Sequence, residues 1–127
     1  MCPRSNRITA TLRDAPIREY LDEGNMLCFG TDSLSSSPSL DVLDDVAMIY
    51  DLARQQGYRG DDLSHRLIRM MTLGGAEAMG LNVGNRRIGQ INAGATADLA
   101  FLDIPVRTDS SQARLLYTTP RPPNRTR

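Results

Sequence analysis

The sequence predicts an α/β fold, on three observations. Two long stretches carry apolar residues at helical spacing; a compact apolar run, NMLCFG, lies between Asn25 and Gly30; and the composition changes late in the chain. There, glycines at 84, 89 and 94 punctuate short β-prone runs in place of a helical stripe. The order helix, buried strand, helix, helix, then two strands has the rhythm of a structure with parallel strands.

Each element has its own signal. Residues 14–23, DAPIREYLDE, predict a short amphipathic helix. Asp14 can accept from free amides at its start, Pro16 is tolerated in the first turn, and Ile17, Tyr20 and Leu21 share a face. Gly24 supplies the stop. NMLCFG is too short for an independent helix and suits a strand buried on both faces, with Asp32 just past its carboxyl end. The serines at 35–37 that follow make either a mobile lid or a merely permissive loop. A second helix is predicted in SLDVLDDVAMIYDLARQQ, capped by Ser39, with Asp41, Asp44 and Asp45 near the positive end of the macrodipole. Leu40, Leu43, Ala47 and Tyr50, joined by Val46 and Ala53, form its core-facing stripe, and Gly57 ends it.

Residues 61–73, DDLSHRLIRMMTL, predict a third helix with Leu63, Leu67, Met70 and Met71 on or near one face. The paired glycines of GGAEAMGL then interrupt the chain before another turn or two. RIGQI and ADLAFLDI read as strands joined by a glycine turn, the second ended by Pro105. From Arg107 onward the chain holds three of its seven prolines and little apolar content, so a disordered tail is expected.

Composition excludes several function classes. A chain of 127 residues, 40% hydrophobic and 24% charged, is ordinary for one globular domain or a piece of one. Fifteen basic and fifteen acidic residues balance to zero, so no broad field draws in nucleic acid or an anionic membrane. Cys2 and Cys28 form no CxxC pair and suit a reducing interior, which makes the cytoplasm the expected location. No apolar run approaches the roughly 20 residues that span a bilayer, and the first sixteen residues lack a signal-peptide core.

Four segments in register, CPRSN, GTDSLSSSPSLD, LGGAEAMGL and IGQINAGATADLAFLDI, resemble the carboxyl-terminal part of the amidohydrolase superfamily. Within it the similarity is to the cytosine deaminase, S-adenosylhomocysteine deaminase and chlorohydrolase-like branch, over about residues 2–104. The resemblance implies a metal-dependent (β/α)8 barrel, of which this chain would hold the last two β/α units plus short strands of a small β-sandwich. On that expectation residues 1–82 are the barrel fragment, 83–105 the sandwich strands and 106–127 the tail. CPRSN would follow the seventh strand and NMLCFG would be the eighth. Asp32 matches the family's last metal-binding acid, which also relays protons; Ser33, Ser5 and Asn6 would lie at the rim as substrate contacts. Barrel enzymes build their sites at the carboxyl ends of strands, where a carboxylate can take a proton from metal-acidified water.

The chain departs from the family in length and donors. A complete barrel takes about 250 residues. The family's His-x-His pair and later histidine ligands have no counterpart, for the one histidine, His65, reads as an ordinary surface or boundary residue. A zinc-like site generally needs three protein ligands and an open position, so the divalent metal (zinc, iron or manganese) of the complete enzyme is not expected to be retained by this chain alone. Neither cysteine has a partner histidine that would make it a nucleophile. The position of Met1 directly before CPRSN suggests a truncated gene, a misplaced start or a split protein. The function expected is that of a piece of a metal-dependent amidohydrolase that hydrolyses C–N bonds of a small molecule, inactive in isolation. The alternative is a non-catalytic module that pairs with a separately encoded amino-terminal half. Exposed strand edges would favour association with that half or with further copies.

Overall fold

The computed structural model describes Cys2 and residues 14–102. Among these residues the elements are helices α1 (Ile17–Asp22), α2 (Val42–Gln55), α3 (Leu63–Met71) and α4 (Leu73–Ala78), followed by a single 3-10 turn, Gly84–Arg86. The predicted fold class is thereby corrected: the described residues contain no strand, and neither the two β/α units nor the sandwich strands are formed. NMLCFG has no regular secondary structure; Leu27 and Phe29 pack against the core but Met26 is 81% exposed, so the run is neither a strand nor buried on both faces. A strand exists only through pairing, and apolar content does not supply a partner. RIGQI and the described part of ADLAFLDI fail for the same reason, with Ile91 86% and Phe101 90% exposed. Residues 103–127, which include the predicted tail, lie outside the described residues.

The core gathers around α2 and α3. Ile17 and Leu21 of α1, Val46, Ile49, Leu52 and Ala53 of α2, Tyr58, and Leu63, Leu67 and Met70 of α3 form one cluster. Each large apolar side chain buried there contributes about 1.5–3 kcal/mol against remaining in water. In α2 the buried stripe runs through Leu43, Val46, Ile49 and Ala53, while Leu40, expected on it, precedes the helix and stays exposed. Asp41 and not Ser39 is the N-cap, its side chain accepting from the Leu43 amide at 2.9 Å; such a cap is worth about 1 kcal/mol. Asp45 is fully buried in the first turn, where the helix dipole favours a carboxylate. Gly57 ends the helix at a φ of 92° that a side chain rarely adopts.

Two long-range clamps fix α1, which at six residues is too short to persist alone. The Gln56 side chain donates to the Ala15 carbonyl at 2.8 Å and accepts from the Arg18 amide at 3.0 Å, so it caps α1 from the end of α2. Arg66 of α3 donates to the Leu21 carbonyl at 2.8 Å and to the Tyr58 hydroxyl at 3.1 Å.

The paired glycines do not break the chain as expected; both lie inside α4. The break is at Thr72, whose φ of −109° and ψ of −89° separate α3 from α4. Gly74 serves close approach instead: a Cβ there would lie 2.6 Å from the Leu27 carbonyl oxygen. The run therefore crosses directly over the start of α4. On its other side, a Cβ on Gly89 would lie 2.8 Å from the Ala76 Cβ and 2.9 Å from the Leu73 Cα, so the loop after the 3-10 turn packs equally tightly on α4. Arg87 holds that loop together by donating to the Gly84 and Ala93 carbonyls.

Candidate functional site

The candidate site begins where the run ends. Asp32 follows Thr31, two residues beyond Gly30, and is the one described non-glycine residue with positive φ, at 63°. Aspartate is among the residues that tolerate this left-handed region. Its side chain is exposed, and its Oδ1 accepts from the Ser33 amide at 2.9 Å. Asp32 is thus an exposed carboxylate just past this run, although the run is not the barrel strand expected.

The serine segment after it is an ordered turn. The Ser33 carbonyl accepts from the amides of Ser36 at 3.0 Å and Ser37 at 2.8 Å. The Ser33 hydroxyl lies 2.6 Å from that of Ser35. Ser37 is buried, 3% exposed, and its hydroxyl donates to the Ser39 carbonyl at 2.9 Å. Ser39 in turn accepts from the Asp41 amide beside the α2 N-cap. The bonding makes this segment a hydrogen-bonded turn leading into α2. Sequence reasoning missed Ser37, because its burial is set by packing that no local pattern announces.

Ser5 and Asn6 lie outside the described residues. Cys2 does not: its Sγ stands 3.7 Å from where a Cβ on Gly30 would be, beside the end of the run that leads to Asp32. His65 is exposed on α3, as expected for a surface histidine. No cluster of three or more His, Cys, Asp or Glu side chains that could hold a metal occurs among the described residues.

A groove of about 210 Å³ opens at the other end of the run, lined by Leu27, Cys28, Arg66, Met70, Gly74 and Glu77 among others, and Asp32 is not part of it. Its charged groups are committed: Arg66 holds Leu21 and Tyr58, and Arg69 pairs with Glu77 at 3.0 Å. The groove is a packing seam between the run and the α3–α4 pair, not a second chemical site.

Residues 1–122 match the model of the amidohydrolase family. The chain is 36% identical over 106 residues to a 5-methylthioadenosine/S-adenosylhomocysteine deaminase of Natronomonas pharaonis, covering 81% of this chain and 23% of that protein. To the protein of the same name in Moorella thermoacetica it is 37% identical over 106 residues, with the same coverage. To that of Haloarcula marismortui it is 36% identical, again over 81% of this chain and 23% of the relative. The chain thus spans just under a quarter of the length of these curated relatives. No solved structure matches it. Among the described residues no helix is long and apolar enough to cross a membrane.

Proposed function

Because this chain belongs to the amidohydrolase family, we propose that it is the carboxyl-terminal portion of a deaminase-like hydrolase acting on C–N bonds, with Asp32 as its contribution to the active centre. The single observation that carries this reading is Asp32 itself: an exposed carboxylate just past an apolar run, held by the Ser33 amide in a chain similar to deaminases. The substrate class proposed is that in the relatives' name, 5-methylthioadenosine or S-adenosylhomocysteine. Ser33, whose amide and hydroxyl both sit in the turn beside Asp32, is proposed as a substrate contact, together with Ser5 and Asn6.

Family membership brings an expectation of a divalent metal, and among the described residues no group of three or more His, Cys, Asp or Glu could hold one. This chain alone is therefore not expected to hold a metal or to hydrolyse a substrate; the remaining donors belong to the rest of the assembly. What Asp32 does there is bind as an anionic ligand and carry a proton, the two tasks open to an exposed carboxylate. A cytoplasmic setting is part of the same proposal.

The test pairs this chain with an amino-terminal portion that supplies the other ligands. Metal is measured by elemental analysis, and deamination is followed as ammonia release from either thioether nucleoside. Asp32→Asn is expected to lower the rate by about 10²–10⁴-fold. Its stability should stay within about 0.5 kcal/mol, since the residue is exposed and asparagine also accepts positive φ. Undiminished turnover in Asp32→Asn would remove the reading.

A further inference from the structure

We infer that Cys2 and Cys28 are a reversible disulfide site, closed by exchange with small-molecule disulfides. Leu27 and Phe29 turn toward the core, so Cys28 and Gly30, which alternate with them, face away from it, as does the exposed Met26. On that side the Cys2 Sγ stands 3.7 Å from where a Cβ on Gly30 would be. Cys28 is two residues from Gly30, and Cα atoms so related are never more than about 7 Å apart. A disulfide joins Cα atoms about 4.4–6.8 Å apart. The Cys2 thiol thus rests a short step along the run from the place a bond to Cys28 requires, and rotamer changes in the two side chains span the difference. Both thiols are reduced and half-buried, so a small oxidant reaches them.

The chemistry is a two-step exchange. One thiolate attacks a small-molecule disulfide such as oxidised glutathione and expels one thiol; the second thiolate attacks the resulting mixed disulfide and expels the other. Two protons and two electrons leave the protein, one S–S bond breaks in the oxidant, and one forms between Cys2 and Cys28. The new bond closes residues 3–27 into a loop that contains α1. That helix is otherwise clamped from Gln56 and Arg66, so oxidation adds a further fastening by restricting the unfolded chain. In a reducing interior the pair stays open and closes only when small disulfides accumulate, which makes it a sensor of redox state and not a permanent bridge.

The experiment equilibrates the full chain with reduced and oxidised glutathione, at submicromolar concentration to suppress contact between copies. Remaining thiols are then alkylated, and the intact mass and the peptide linking Cys2 to Cys28 are read. The equilibrium constant for closure is expected to be at least about tenfold larger in buffer than in denaturing urea, because folding places the thiols together. The urea midpoint of the oxidised chain should rise by about 1 M, and dithiothreitol should return it to its starting value. Equal constants in buffer and urea would overturn the inference, as would linkage only between copies, or an oxidised midpoint at or below the reduced one. A relocated thiol controls for tethering alone. In Cys28→Ser combined with Met26→Cys, the thiol stays on the exposed side of the run but lies two residues farther from Gly30, and the constant in buffer should fall by about tenfold. Undiminished closure in that variant would show that chain length and not geometry joins the sulfurs, and the inference would fall.

Discussion

Adjacent glycines in α4 permit an internal comparison with opposite signs. Placed in a helix, alanine is favoured over glycine by up to about 1 kcal/mol, so propensity alone makes Gly74→Ala and Gly75→Ala equally stabilising. The surroundings differ. At Gly75 nothing lies within 4 Å of a new Cβ, so the propensity gain stands and about 0.5–1 kcal/mol of extra stability is expected. At Gly74 the Cβ would meet the Leu27 carbonyl oxygen at 2.6 Å, where ordinary contact begins at 3.4 Å. The obstacle is backbone and cannot rotate away, so the run must retreat from α4. Overpacking of this kind costs about 1–3 kcal/mol, and after the helix gain a net loss of about 1–2 kcal/mol remains. Urea unfolding followed by circular dichroism should place the two midpoints on either side of wild type, separated by roughly 1 M or more. A Gly74→Ala midpoint at or above that of Gly75→Ala would show that the run does not lie against α4, and the account of how Asp32 is presented would fall with it.

Other expectations follow from the same packing. Gln56→Ala should lose about 1–2 kcal/mol in urea unfolding, because the bonds to Ala15 and Arg18 go together. Gly89→Ala should cost about 2 kcal/mol or more, since the new Cβ meets α4 at 2.8 Å and the φ is +85°; Gly24→Ala, at φ +72° in open space, should cost only about 1 kcal/mol. Sedimentation at micromolar concentration should show association of the isolated chain, given the exposure of Met26, Val83, Ile91 and Phe101; a sharp monomer boundary would contradict it.

The helices were legible in the sequence because their signals are local. The spacing of Leu43, Val46 and Ala53, and of Leu63, Leu67 and Met70, is a property of a few turns, and Gly57 marks a stop by its own backbone, whereas Ala47 and Tyr50, expected on the stripe, are only half-buried and Ile49 and Leu52 take the core positions. Terminal details were less so: Ser39 and Asp41 are both good caps, and only the fold decides between them. The paired glycines misled for a physical reason, as glycine's low helix propensity and its value at close contacts look identical in a sequence. The run 25–30 was wrongly read as a strand buried on both faces, because a ladder is a relation between segments and burial of both faces needs neighbours on each side. Of the candidate site, the local turn after Asp32 could be expected from the serines that follow it, whereas the burial of Ser37 emerges only in three dimensions.

The fastening of α1 also sets an order of events. Its two retaining groups, Gln56 and Arg66, reach back 41 and 45 residues respectively to Ala15 and Leu21. While the polypeptide grows on the ribosome, α1 lacks the first of these groups until residue 56 and the second until residue 66 has been made, a delay of roughly 2–9 s at ordinary translation speeds. This stretch is made early and secured late, so vectorial synthesis and structural maturation run out of step, and a nascent chain halted before that point would carry Ile17 and Leu21 bare.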